Sequence, residues 1–175
     1  MAAASDNFDT LYRQAEALRW TSRYQDAATL YERALRALGG TEVDRCWAKF
    51  WLAVSLGNLG RRPEALAHHG ELYAATKNRI EFHELAYRTF FSQIQEFSMI
   101  QYNLGTGTEA ANVNKRLELI AEGLAWLQDI GREEWRHALL LERAKALEDA
   151  RDLEQALDVA EEAYRINQEA GTRAC

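Results

Sequence analysis

A recurring pattern of small and bulky apolar residues constrains this chain more than any other feature of its sequence. A small residue among bulky apolar ones is followed by a tight turn, and then by a second helix that opens on a bulky residue and an alanine. One copy comprises Leu11, Ala15, Leu18, Tyr24, Ala27, Tyr31 and Ala34, and another comprises Ala144, Leu147, Leu153, Ala156, Ala160 and Ala163. Because a helical hairpin cannot bury its apolar face alone, it must stack on further hairpins. The pattern therefore predicts an all-α array of stacked antiparallel helical hairpins.

The composition agrees with a compact helical protein. Of the 175 residues, 47% are hydrophobic and 27% are charged, and there is a single proline. No apolar run approaches the ~20 residues that span a bilayer, and the amino end has neither the basic nor the apolar region of a secretory signal. Two cysteines provide no disulfide framework. We therefore expect a cytoplasmic protein that does not bind membranes.

The distribution of charge argues against a nucleic-acid partner. The formal net charge is −6, and the basic residues are scattered or lie beside acids. The densest basic positions are Arg61-Arg62 and Lys115-Arg116. Because neutralising several phosphates requires a broader positive surface, we expect no nucleic-acid binding.

Helix-capping and helix-ending residues divide the chain into about eight predicted helices. The hairpins are predicted at roughly 6–38, 42–76, 80–130 and 133–170, within a single domain of residues 1–175. The predicted helix stops are Gly39-Gly40, Gly60, Gly105-Thr106-Gly107 and Gly131, the predicted caps are Thr41 and Thr108, and Pro63 falls in a first helical turn. The third hairpin is the longest of the four.

These residues resemble the tetratricopeptide repeat (TPR), a helix-turn-helix unit of about 34 residues. Small residues stand where the two helices of each TPR hairpin touch: Ala15, Ala53, Ala86 and Ala144 in the first helices, and Ala27, Ala65 and Ala156 in the second. Gly60 matches the glycine of the TPR turn, whereas Ser22 and Arg151 occupy that position elsewhere. The resemblance implies a right-handed solenoid whose first helices line a concave groove that binds extended or helical segments of other proteins.

The resemblance also implies which side chains line that groove. Carried over by position, they are Tyr12, Glu16, Arg19, Trp20, Trp47, Phe50, Val54, Asn58, His83, Tyr87, Phe90 and Phe91. Aromatic anchors beside a few polar groups suit an apolar or amphipathic peptide. We regard Trp20, Trp47 and Phe91 as the strongest groove candidates.

Core packing is the alternative role of every aromatic residue, because a helical array needs large apolar side chains between its layers. The aromatics assigned to the core are Tyr24, Tyr31, Trp51, Phe82 and Trp126. Trp135 fits either role. Residue type alone therefore does not separate the aromatic residues of the groove from those of the core.

Some TPR domains hold the acidic carboxyl end of heat-shock chaperones with lysines, asparagines and an arginine. The corresponding positions here are Tyr12, Glu16, Trp51, Ile80 and Glu84. None supplies the required donor, and the two glutamates would repel a carboxylate. We therefore expect a neutral or basic peptide with apolar anchors.

No constellation of residues indicates catalysis. Glu133, Glu134 and His137 lie one helical turn apart, but a zinc site usually needs three or four protein ligands, so we expect surface ion pairs there. The adjacent His68 and His69 point to different faces of their helix. The 105–108 segment lacks the lysine of a phosphate-binding loop. We expect no enzyme activity, no cofactor and no bound metal.

The last predicted helix carries apolar residues where repeat arrays usually end in a polar cap. These residues are Leu153, Leu157, Ala160 and Tyr164. We expect that further repeats follow in a longer natural protein, or that the array completes itself as a homodimer through this helix.

Two functional classes stay open after these observations. The favoured one is a scaffold or adaptor that binds a protein partner in the groove. The alternative is a ligand- or peptide-responsive regulatory sensor domain of a larger or dimeric protein, with the 105–108 connector as its switch.

Overall fold

The computed structural model describes residues 7–104 and 109–173, which form eight α-helices. They are α1 (Phe8–Trp20), α2 (Tyr24–Arg36), α3 (Glu42–Asn58), α4 (Arg62–Thr76), α5 (His83–Leu104), α6 (Glu109–Asp129), α7 (Arg136–Asp149) and α8 (Leu153–Arg173). Short 3-10 helices, Ile80–Phe82 and Glu133–Trp135, precede α5 and α7. The predicted all-α class is confirmed. None of the described helices is both long and apolar enough to cross a membrane.

Local capping signals explain where the helices begin. The Thr41 side chain accepts a hydrogen bond from the Asp44 amide at 3.2 Å, and the Asp44 carboxylate accepts one from the Thr41 amide at 2.8 Å. This reciprocal pair satisfies amide groups that the first turn of α3 leaves without partners. Pro63 lies in the first turn of α4, as predicted. The predicted cap Thr108 and the connector 105–108 lie outside the described residues.

The turns of three hairpins share one conformation. Their central residues, Ser22, Gly60 and Arg151, have positive φ angles of 59°, 78° and 64°. In each turn the amide that follows donates to a carbonyl five residues earlier, at 2.9, 2.9 and 3.0 Å; the acceptors are Leu18, Leu56 and Leu147. This bond ends the first helix and reverses the chain direction. The α1–α2, α3–α4 and α7–α8 hairpins are therefore repeated units, as the sequence pattern predicts.

The chain divides into two compact units, Met1–Glu96 and Phe97–Cys175. The first unit contains α1 to α4 and most of α5, and the second contains the rest of α5 with α6 to α8. In the first unit α1 packs on α2, α2 packs on α3, and α3 packs on α4. In the second unit α7 packs on both α6 and α8. The prediction of a single domain over 1–175 stays a prediction.

The core of the first unit combines alanines with aromatic rings. Ala15, Ala27, Ala53, Ala65 and Ala86 are completely buried, as expected where helices approach closely. The buried aromatic side chains of this unit are Phe8, Tyr31, Phe50, Tyr73, Phe82 and Phe90. The predicted core positions of Tyr31 and Phe82 are therefore confirmed, whereas Tyr24 and Trp51 are only half-buried.

The core of the second unit is aliphatic. Its buried apolar side chains are Val113, Ile120, Leu127, Leu139, Leu140, Ala146, Leu147 and Ala163. Ala144 and Ala156, which the TPR resemblance places at the contact between the paired helices, are only half-buried. Trp126, predicted to be a core residue, is also half-buried. The helices of this unit therefore bury the repeat positions less completely than those of the first unit.

Candidate functional site

Three tryptophans and two arginines of the first unit form a row across α1, α3 and α5. We call this row the tryptophan–arginine strip; its members are Arg19, Trp20, Trp47, Trp51 and Arg88. The Arg19 guanidinium carbon lies 4.6 Å from the Trp20 ring centroid and 3.8 Å from that of Trp51. The Trp47 and Trp51 rings stack with their centroids 6.3 Å apart, and the Arg88 guanidinium carbon lies 5.9 Å from the Trp47 ring. Contacts among these indole rings and guanidinium groups thus connect three helices.

Helical spacing explains how each helix contributes to the strip. Trp47 and Trp51 are four residues apart on α3, so their side chains meet on one face of the helix. Arg19 and Trp20 are the last two residues of α1. The α1 end and the α3 face are joined by the contact between the Arg19 guanidinium and the Trp51 ring. Cation–π contacts of this kind stabilise more when the cation is partly desolvated.

The charge of Arg19 is neutralised by Glu16, which lies beside the strip on α1. Its guanidinium donates to the Glu16 carboxylate at 2.8 Å, and only 11% of the Arg19 side chain is exposed. Glu16 also accepts a short hydrogen bond from the Tyr31 hydroxyl. Burial, with the hydrogen bond to Glu16, raises the pKa of Tyr31, so the phenol stays protonated and keeps donating. Burial and the charge of Glu16 raise the pKa of Tyr12 to about 12.

Glu84 is paired in the same way. Its carboxylate lies 2.9 Å from the Arg88 guanidinium. Both glutamates that were expected to repel an acidic ligand therefore have an arginine within ion-pair distance. The expected preference for neutral or basic peptides loses this electrostatic basis, because each glutamate charge is offset by its neighbour. The pairs join residues three and four apart on one helix, a spacing visible in the sequence.

Ten of the twelve predicted groove residues have side chains that are exposed or half-buried. Trp20 is 75% exposed, and Asn58 is also exposed. The half-buried members are Tyr12, Glu16, Arg19, Trp47, Val54, His83, Tyr87 and Phe91. The Asn58 amide donates to the Val54 carbonyl at 2.9 Å, and the Tyr87 and Phe91 rings stack 6.2 Å apart.

Phe50 and Phe90 are corrections to the predicted groove. They are 4% and 1% exposed, so a ligand cannot reach them. The Phe50 ring packs edge-on against Trp51 with centroids 4.7 Å apart, and the Phe90 ring lies 4.8 Å from Tyr73 of α4. Both rings pack between helices of the first unit. The position of a residue in the repeat does not show whether its side chain points between helices or into the groove.

Two members of the strip were missed by the sequence reasoning. Trp51 was assigned to the core, and Arg88 was not considered. The available signals were local, because Trp51 follows Trp47 by four residues and Arg88 follows Glu84 by four. The partners on other helices, such as Arg19 for Trp51, became visible only in the folded chain.

No metal-binding group occurs in the part of the chain that the structure describes, since no three His, Cys, Asp or Glu side chains lie close enough together. Glu133 pairs with Arg136 at 2.8 Å and Glu134 pairs with Arg132 at 3.1 Å. The His137 ring lies 2.9 Å from the Glu134 carbonyl oxygen. The expected surface ion pairs at this place are confirmed.

Comparison of this chain with known proteins finds similar solved structures only. No protein-family model and no curated protein matches the chain. Two similar structures are of a Podosopora anserina protein assigned as a kinesin light chain with nearly identical TPR-like repeats. A form of it that carries one glutamine-to-methionine substitution is 16% identical, with a TM-score of 0.47 over 94% of this chain and 96% of that chain. The form without that substitution is 16% identical, with a TM-score of 0.46 over 97% and 99%.

Proposed function

We propose that the first unit is a protein-interaction module that binds an apolar or amphipathic peptide segment against the tryptophan–arginine strip. The observation that carries this proposal is the exposure of Trp20, at 75%, beside the half-buried rings of Trp47 and Trp51. Tryptophan contributes strongly to binding energy at interfaces. In this role the chain is an adaptor that brings a partner protein to a fixed place.

The strip is organised before a ligand arrives. Arg19 is held by Glu16 and by two indole rings, and Trp47 is held by Trp51. Because these side chains are already ordered by their neighbours, binding a peptide costs less side-chain entropy. A bulky apolar side chain of the ligand would pack on Trp20, while the side-chain oxygen of the exposed Asn58 can accept a hydrogen bond from the peptide backbone.

The charges of the strip shape the expected ligand preference. Arg19 and Arg88 are paired with Glu16 and Glu84, so the strip offers little uncompensated charge. We therefore expect selection by apolar anchors, with a weak dependence of affinity on salt. This differs from a site that recognises an acidic carboxyl end through free cations.

The test is selection of a displayed library of random peptides on the full chain, followed by fluorescence titration of synthetic copies of the selected peptides. We expect selected peptides to contain Trp, Phe, Leu or Met anchors. Trp20→Ala combined with Trp47→Ala should weaken their binding by at least about tenfold. Trp20→Ala alone removes an exposed ring and should weaken binding several-fold without loss of thermal stability.

The matched control is Leu38→Ala, which removes an 88% exposed apolar side chain of the first unit that belongs to neither proposed binding surface. This variant should bind the selected peptides as the wild type does. Equal binding by wild type and by the folded Trp20→Ala variant would move the peptide site away from the strip. A failure of the selection to enrich any peptide would contradict the peptide-binding role itself.

A further inference from the structure

Helix α8 carries an apolar row that the fold leaves in solvent. Leu153, Leu157 and Tyr164 are 64%, 61% and 64% exposed, and the half-buried Ala160 stands between the last two. The row follows a spacing of four, three and four residues, which is the spacing of a coiled-coil seam. At 1.5 Å per residue it extends for roughly 16 Å along the helix.

This row is not the face that holds α8 in the second unit. Ala163 is 1% exposed, and α8 packs on α7. Arg136 of α7 also lies 3.5 Å from Glu162 of α8. Leu153, Leu157 and Tyr164 are therefore additional to the core face of the helix. Three large side chains exposed together on one helical face are typical of a surface that binds another protein.

An acidic row runs beside the apolar row. Glu154, Asp158 and Glu161 each follow a member of the apolar row by one residue, and all three are exposed. Within the described residues none of the three takes part in an ion pair. Like charges three and four residues apart on a helix repel one another. Arg165, which follows Tyr164 in the same way, is exposed and basic, so this edge of α8 carries three negative charges and one positive charge.

We propose that the two rows of α8 together bind an amphipathic basic helix of a partner protein. Its apolar residues, spaced three and four apart, would pack between Leu153, Leu157 and Tyr164 in the manner of a coiled coil. A row of Lys or Arg along one edge of the partner helix would face the three carboxylates. This surface belongs to the second unit and does not depend on the peptide site proposed for the first.

A second copy of the chain fits this surface poorly. Two copies that paired through α8 would each bring the same acidic row to the interface, and like charges facing one another oppose association. The net charge of −6 per chain adds to this repulsion. Along this edge a second copy would bring three carboxylates and the single Arg165, whereas a basic helix would bring complementary charge along its whole length.

The experiment measures fluorescence anisotropy of a labelled helical peptide made of leucine and lysine, with leucines spaced three and four apart, against the full chain. Two comparison peptides carry glutamate in place of lysine, or the same leucines and lysines in scrambled order. We expect binding of the ordered basic peptide alone, with an affinity that falls as salt is added.

Two variants test the two rows separately. Leu157→Ser with Tyr164→Ser removes apolar side chains, and Glu154→Gln with Asp158→Asn and Glu161→Gln removes the charges. Each variant should weaken binding by about tenfold or more, and the charge variant should also lose the salt dependence. Leu38→Ser with Ile80→Ser, which removes side chains that are 88% and 83% exposed in the first unit, is the matched control and should bind normally.

Three results would overturn the proposal. The first is equal binding of the scrambled peptide, which would leave only nonspecific charge attraction. The second is normal binding of the ordered peptide by both folded α8 variants. The third is a dimer in analytical ultracentrifugation that Leu157→Ser with Tyr164→Ser dissociates, since a second copy would then cover the row.

Discussion

The two compact units bury polar side chains in different ways. In the first unit His69 is completely buried, its ring lies 5.7 Å from that of Phe50, and neither ring nitrogen has a hydrogen-bond partner among the described residues. In the second unit Arg116 is 1% exposed, and its guanidinium lies 2.5 Å from the Asp149 carboxylate. The first unit must therefore keep its buried group neutral, whereas the second must keep two opposite charges together.

The largest effect is expected from breaking the buried pair of the second unit. Asp149→Ala removes the carboxylate beside the buried Arg116 guanidinium, and we expect a loss of about 4 kcal/mol in the free energy of unfolding. Urea denaturation measures this loss, and hydrogen exchange of α6 and α7 amides locates it in the second unit.

Replacing the charge itself should cost much less. Arg116→Met leaves an apolar side chain of similar length in the same place, so we expect a loss of less than about 2 kcal/mol. If Arg116→Met were as destabilising as Asp149→Ala, packing of the arginine stem, and not the buried charge, would explain the effect.

The next effect is a loss of stability in acid that is specific to the first unit. Burial, and then the neighbouring His68, lowers the pKa of His69 from 6.5 to about 4. Between these values the unfolded chain binds a proton that the folded chain does not. Stability from His69 is therefore complete above pH 6.5 and falls as the pH drops toward 4, by about 3 kcal/mol in total.

His69→Leu should flatten this part of the stability profile. Urea denaturation at a series of pH values measures the slope, with hydrogen exchange reporting on α3 and α4. The matched control is His137→Gln, which removes a half-buried histidine of the second unit and should leave the hydrogen exchange of α3 and α4 unchanged. An unchanged slope in His69→Leu would show that other groups cause the acid sensitivity.

The smallest effect concerns an ion pair of the first unit whose arginine is less buried than the arginine of the second-unit pair. Arg62 and Glu96 lie 2.6 Å apart, with side chains 14% and 13% exposed. A Cβ atom added at Gly57 would overlap the Glu96 carboxylate oxygen Oε1. Gly57→Ala should therefore displace this carboxylate from Arg62 and cost about 2 kcal/mol in thermal or urea denaturation.

Gly70 provides the matched control for this substitution. It also lies inside a helix, α4, but an added Cβ would meet no atom within 4 Å. Gly70→Ala should stabilise the protein by up to about 1 kcal/mol, because alanine favours the helix. A stabilising Gly57→Ala would mean that Glu96 moves aside at no cost and that its pairing with Arg62 contributes little.

The sequence was informative about the site where the relevant neighbours lie on one helix. Trp47 and Trp20 were identified as groove candidates, and both belong to the strip. The burial of Phe50 was not identified, because Trp47, Phe50 and Trp51 share an apolar side of α3 and sequence spacing cannot rank them by depth. How deeply each of these three rings is buried depends on how α4 packs against α3.

Helix ends and hairpin turns were determined by the sequence itself, because caps, left-handed turn residues and i to i+4 pairs act within a few residues of the chain. Thr41 begins α3, and Gly60 stops α3 and forms the turn to α4, for such local reasons. Only the tertiary structure decided which apolar faces are covered. Leu147 and Leu153 belong to the same copy of the sequence pattern, yet the first is 7% and the second 64% exposed. The periodicity of a helix predicts which face is apolar. It does not predict which helix packs on that face, and the packing of neighbouring helices decides whether the face is buried.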